Sequence, residues 1–172
     1  MTEAPAHEDE VFKMRRTFDA SPDLMWAMWT QKDHLEQWFG PAGMTLVVKS
    51  HDLTPGGVFI YGMEVAGMVM WGKWVFREIQ PTSRLSYVLS FCNEAGQPVR
   101  HPMAPTWPLQ MLCEQTFSPA EDGKTLFESR SWPIHATVEE RAVFKVGHAS
   151  MTAGFGGTFA KLETYLKNVQ GG

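Results

Sequence analysis

The chain has 172 residues, 44% of them hydrophobic and 20% charged, which suits one globular domain able to bury a core without disulfides. Its net charge of −4 leaves no basic surplus for nucleic acid, and its apolar runs are too short and broken for a membrane span. The excess lies in 7 Trp, 11 Phe, 3 Tyr and 11 Met, residues that fill cores and also line pockets for apolar ligands.

The first residues, MTEAPAHEDE, carry no apolar stretch and no basic start, so export is not expected. A cytoplasmic location with Cys92 and Cys113 reduced follows as the expectation. Residues 1–9 read as a flexible N-terminal tail, and 10–170 as a single domain. Phe12, Met14, Arg16 and Phe18 alternate with polar residues, the period of a half-buried strand over Val11–Asp19. Ser21-Pro22-Asp23 then starts a short helix that carries Leu24, Met25, Met28 and Trp29. A second one, about Lys32–Phe39, stops at Gly40-Pro41.

Strands are predicted over Met44–Leu53, Val58–Val65, Met68–Ile79, Leu85–Phe91, Leu109–Phe117 and Lys124–Trp132. Between the fourth and fifth of these lies a Pro-rich loop through Pro98, Pro102, Pro105 and Pro108. Asp122-Gly123 is a hairpin signal, and strands in series imply an antiparallel meander. Thr137-Val138-Glu139-Glu140 has the form of a capping box. A helical apolar stripe then runs to about Asn168, interrupted by Gly147, Gly154, Gly156 and Gly157. Such a helix needs an apolar surface, and only the sheet offers one. The class is therefore α+β: a curved antiparallel sheet of about six to seven strands around a long C-terminal helix, with two short helices after the first strand.

Five stretches together resemble one known family. Phe12-Lys13-Met14-Arg15-Arg16-Thr17-Phe18-Asp19-Ala20-Ser21-Pro22 is similar to the opening of the family related to the activator of Hsp90 ATPase, with Ser21 as an extra residue. Gln37-Trp38-Phe39-Gly40-Pro41 resembles its W-W-G-P stretch, and Pro55-Gly56-Gly57-Val58-Phe59 its P-G-G-x-F turn. Trp71–Ile79 with Pro81 and Arg84-Leu85 resembles its G-x-x-x-E-I-x-P-x-x-R-L segment. Glu139-Glu140-Arg141 and Gly156-Gly157-Thr158 resemble its C-terminal helix. The resemblance covers about residues 11–168. It implies the wider superfamily of START, SRPBCC and birch-pollen-allergen-like (Bet v 1-like) domains, with a helix-grip fold and a cavity between sheet and helix. It does not fix an activity, because common folds host many.

No phosphate loop, nucleophile elbow or zinc-protease motif is present, and the six His lack ligand spacing, so no metal and no cofactor is expected. A ligand cavity is expected from Trp38, Phe59, Tyr61, Met63, Trp74, Tyr87, Phe91, Met111, Gln115, His148, Met151 and Phe155. Most large side chains in such a set are ordinary core, and only some line a hollow. His148, beside the helical stripe, is the candidate acid–base group, with a helix-flank His as the plain alternative. Gln115 on an apolar parity is either a ligand contact or a satisfied core amide. Arg16 is expected to pair with an acid near a helix end.

Two functions of different class follow. One is a module binding a small hydrophobic or aromatic molecule, not an enzyme. The other is a polyketide cyclase- or hydrolase-like enzyme using His148 with Tyr61 or Glu64 on a bound carbonyl compound. A cochaperone acting on Hsp90 ranks third. No nucleic acid partner is expected, and a homodimer is left open.

Overall fold

The computed structural model describes residues 3–41 and 43–171. Its first strand, β1 (Phe12–Phe18), leads into α1 (Pro22–Thr30) and α2 (Lys32–Trp38). Six strands follow: β2 (Thr45–His51), β3 (Val58–Val65), β4 (Met68–Gln80), β5 (Arg84–Cys92), β6 (Gln110–Pro119) and β7 (Thr125–Ile134). The chain ends in α3 (Val138–Val146) and α4 (His148–Gly171). Among the described residues the strands form one sheet, ordered β1-β7-β6-β5-β4-β3-β2, with every neighbouring pair antiparallel.

Local chemistry explains the element ends. The Ser21 hydroxyl accepts from the Leu24 N–H at 3.2 Å and caps α1, with Pro22 in its first turn. Thr137 and Glu140 complete the reciprocal capping box that opens α3. The β6–β7 connection turns on Asp122 and Gly123, which both take positive φ (59° and 73°).

The predicted single C-terminal helix is two helices. Gly147 separates them, and the Trp107 indole packs there so closely that a Cβ would stand 2.8 Å from its Cζ3. The remaining helical glycines play no such part: a Cβ at Gly154, Gly156 or Gly157 would meet open space.

Alternation sends one face of the sheet inward. Phe59, Trp74, Phe76, Leu85, Phe117 and Phe127 pack there against Met25, Met28 and Trp29 of α1 and Leu35 and Trp38 of α2. The same core takes Phe159, Leu162 and Leu166 from the C-terminal half of α4. A smaller cluster, Phe12, Met111 and Phe144, gathers Met151 and Phe155 from the N-terminal half. Arg16 ties α4 to β1 through an ion pair with Glu163 at 2.8 Å, its guanidinium over the rings of Phe18 and Phe159.

Residues 3–9, part of the stretch 1–9 read from sequence as a tail, run with Glu10 across the outer surface and make defined contacts. Residues 1 and 2 of that stretch lie outside the described residues. Glu3 pairs with Arg77, and its carbonyl accepts from the Trp132 indole at 2.7 Å. Glu8 meets Lys13 and Arg130, Asp9 meets Lys145, and Glu10 meets Arg141. Exposed pairs of this kind contribute little each, and together they set a position.

Candidate functional site

Between the two core clusters the packing is incomplete. A cavity of about 420 Å³ lies under the N-terminal half of α4, above β3 to β6. Its floor follows from strand register. Tyr61 on β3 pairs with Gly72 on β4, and Gly72 pairs with Phe91 on β5. Gly72 has no side chain, and the Tyr61 ring lies over it: a Cβ at Gly72 would stand 2.5 Å from both Cζ and the hydroxyl oxygen of Tyr61. The row therefore forms a trough closed by aromatic rings. Met63, Leu89 and Met111 extend it, and Met151, Gly154 and Phe155 of α4 form the roof.

One wall comes from the Pro-rich loop. His101 packs edge-on against Phe91 at 4.8 Å between ring centroids, and Trp107 packs against Phe144 at 5.4 Å. Arg100 holds the loop to α3 by donating to Glu140 at 2.8 Å and to the Trp107 carbonyl at 3.2 Å. The opposite wall is Phe39, Gly40 and Pro41, just after α2. Thr158 and Lys161 donate to the Gly40 carbonyl, so α4 fixes this wall too.

Of the side chains expected at a ligand cavity, Tyr61, Met63, Phe91, Met111, Met151 and Phe155 line this one. Trp38, Phe59 and Trp74 do not; they are fully buried in the solid core under α1 and α2. Tyr87 is also core, stacked on Trp74 with centroids 3.9 Å apart. Gln115 donates to the Tyr87 hydroxyl at 2.9 Å within the core, and its buried Oε1 has no partner among the described residues. His148 packs between Phe12 and Phe144, outside the cavity lining. The candidate acid–base group thus stands at the β1 side of α4, apart from the residues that line this cavity. His101, Trp107, Phe39 and Thr158 were missed.

Burial governs the titrating groups. It pushes the Tyr61 and Tyr87 phenols above their ordinary range and the Cys113 thiol up to about 12, so all three stay protonated at neutral pH. Cys92 and Cys113 are both free and buried. Burial lowers the pKa of His51 and of His148, whose Nε2 has no partner. The unfolded chain therefore takes up protons first as pH falls through about 6.5, and folding stability declines below that value. Urea unfolding should show a lower midpoint at pH 5.5 than at pH 7.5, with a smaller difference in His148→Phe. An unchanged difference in that variant would remove His148 from the effect.

Among the described residues, no three His, Cys, Asp or Glu side chains converge as a metal site would require, and no helix is long and apolar enough to cross a membrane.

The architecture recurs in solved structures. A solution structure from Arthrobacter aurescens superposes with a TM-score of 0.77 at 23% identity, covering 96% of this chain and 91% of the other. A crystal structure from Mycobacterium smegmatis gives 0.74 at 21% identity, covering 92% and 91%. One from Nitrosomonas europaea gives 0.73 at 22% identity, covering 96% and 99%. These likenesses show a shared fold. A search of curated proteins finds no match. The family described as activator of Hsp90 ATPase homolog 1-like protein matches residues 19–167, and with its seven-stranded sheet and long C-terminal helix the chain belongs to that family.

Proposed function

We propose that the protein binds a small, mostly apolar molecule between its sheet and α4. The observation that carries this reading is the cavity of about 420 Å³, walled by Phe39, Leu89, Phe91, Met111 and Phe155. Small-molecule sites span about 300–1,000 Å³ and combine such walls with a few polar groups. Met63, Met111 and Met151 give the wall side chains that adapt to shape. Arg100, Trp107 and Gly147 hold the loop and helix that bound the space, which favours a preformed site.

Titration with N-phenyl-1-naphthylamine, which fluoresces on leaving water, tests the reading. A saturable rise with one site per chain is expected, reversed by apolar competitors of similar size. A linear, unsaturable signal, together with no competitor raising the melting temperature, would sink it.

A further inference from the structure

The polar groups of the cavity point to the chemistry of its ligand. The inference rests on the binding reading above and goes one step beyond it. The lining carries few polar side chains: Tyr61, Ser90, His101, Trp107 and Thr158. Two are already accounted for. Thr158 gives its hydroxyl proton to the carbonyls of Gly40 and Gly154, both at 3.2 Å. Ser90 alternates with the inward Leu89 and Phe91, so its hydroxyl belongs to the other face of the sheet.

Of the other three, His101 and Tyr61 present hydrogens. The Met103 backbone N–H donates to His101 Nδ1 at 3.0 Å. A backbone amide can only donate, so Nδ1 is the unprotonated nitrogen and the neutral ring carries its proton on Nε2. Nε2 has no hydrogen-bond partner among the described residues. The Trp74 indole N–H faces the Tyr61 oxygen and can only donate, so the phenol proton itself is left free to donate. Trp107 packs the Cζ3–Cη2 edge of its ring on Gly147 and its face near Phe144, a packing role in this wall. His101 and Tyr61 thus bring protons to the wall, while the hydroxyl oxygens of Tyr61 and Thr158 keep lone pairs that can accept.

We infer that the ligand carries a carbonyl-type oxygen, and that His101 Nε2–H is the group that fixes it. An apolar body fills the trough over Gly72, and its oxygen lies at the His101 wall. A compound without that oxygen leaves the imidazole N–H desolvated and unpaired. His101 is therefore the specificity-determining residue of this cavity.

Two probes of nearly equal shape test this. In 2-acetylnaphthalene a C=O stands where 2-isopropenylnaphthalene has C=CH2. The wild type is expected to bind the ketone about tenfold more tightly, the scale of one neutral hydrogen bond. His101→Phe keeps a ring against Phe91 and should remove that preference, read as the ratio of the ketone and alkene affinities measured in the same variant. His101→Gln restores a side-chain N–H and should recover part of the preference, which separates donation from ring packing. Equal affinities in the wild type, or a preference that survives in His101→Phe, would overturn the inference and leave apolar binding intact. Failure of both probes to bind the wild type would overturn the binding reading itself.

Discussion

Gly154→Leu is expected to unfold at a higher temperature and to bind N-phenyl-1-naphthylamine about thirtyfold more weakly. Both effects follow from one position. Gly154 lies within α4, forms part of the cavity roof, and has open space where a Cβ would stand. Glycine inside a helix costs about 1 kcal/mol relative to better helix formers. A domain of this size gains about 2–4 °C for each kcal/mol recovered. The new side chain has room, so no overpacking cost offsets that gain, but the room it takes is the ligand's. Gly154→Ala should show the thermal gain with most of the binding retained. Thermal unfolding and fluorescence titration of the two variants provide the check. A Leu variant that binds like the wild type would place the ligand elsewhere.

Trp74→Ala should lower unfolding free energy by about 3–5 kcal/mol, measured by urea denaturation. Trp74 is fully buried and stands at the centre of the aromatic core. Its ring stacks on Tyr87 at 3.9 Å and meets Phe59 at 4.9 Å, Phe39 at 5.2 Å and Trp29 at 6.3 Å. Removing it opens a void that the surrounding packed rings cannot close. Typical domains have only about 5–15 kcal/mol of stability, so the variant should be marginal. Trp74→Phe should cost less than half as much. Phenylalanine keeps most of the contact and deletes an indole N–H that is buried without a partner. If Phe and Ala cost the same, the orphan N–H and the stacking both matter less than the geometry implies.

The fold was largely legible in the sequence because its signals are local. Leu85 to Phe91 alternates cleanly, and the strand forms over Arg84–Cys92. The Thr137 capping box and the Ser21-Pro22 helix start act within one turn, and both stand as read. The cavity was legible only in part, because parity gives the face of a strand but not the position along it. Tyr61 and Phe59 share a face of β3, yet one lines the cavity and the other is sealed under α1 and α2. Only the packing of those helices decides which end of the sheet stays open. His101 and Trp107 gave no signal at all. They sit in a loop without periodicity, and its place is set by distant partners such as Glu140 and Gly147.

The sheet order also dictates when the molecule can be completed. β2 through β7 follow one another as neighbours, so each can pair as soon as the next emerges from the ribosome. Among the described residues β1 pairs with β7 alone, Phe12 opposite Ser131. The first strand made must therefore wait for the last before it finds its ladder. During synthesis α1 and α2, tethered to that unpaired strand, have only the open meander to rest on. Their aromatic side chains, Trp29 and Trp38 among them, depend on the final third of the chain for their enclosure. A truncation before β7 would thus leave the first strand unpaired and part of the aromatic core uncovered, a species suited to capture by chaperones rather than to independent folding.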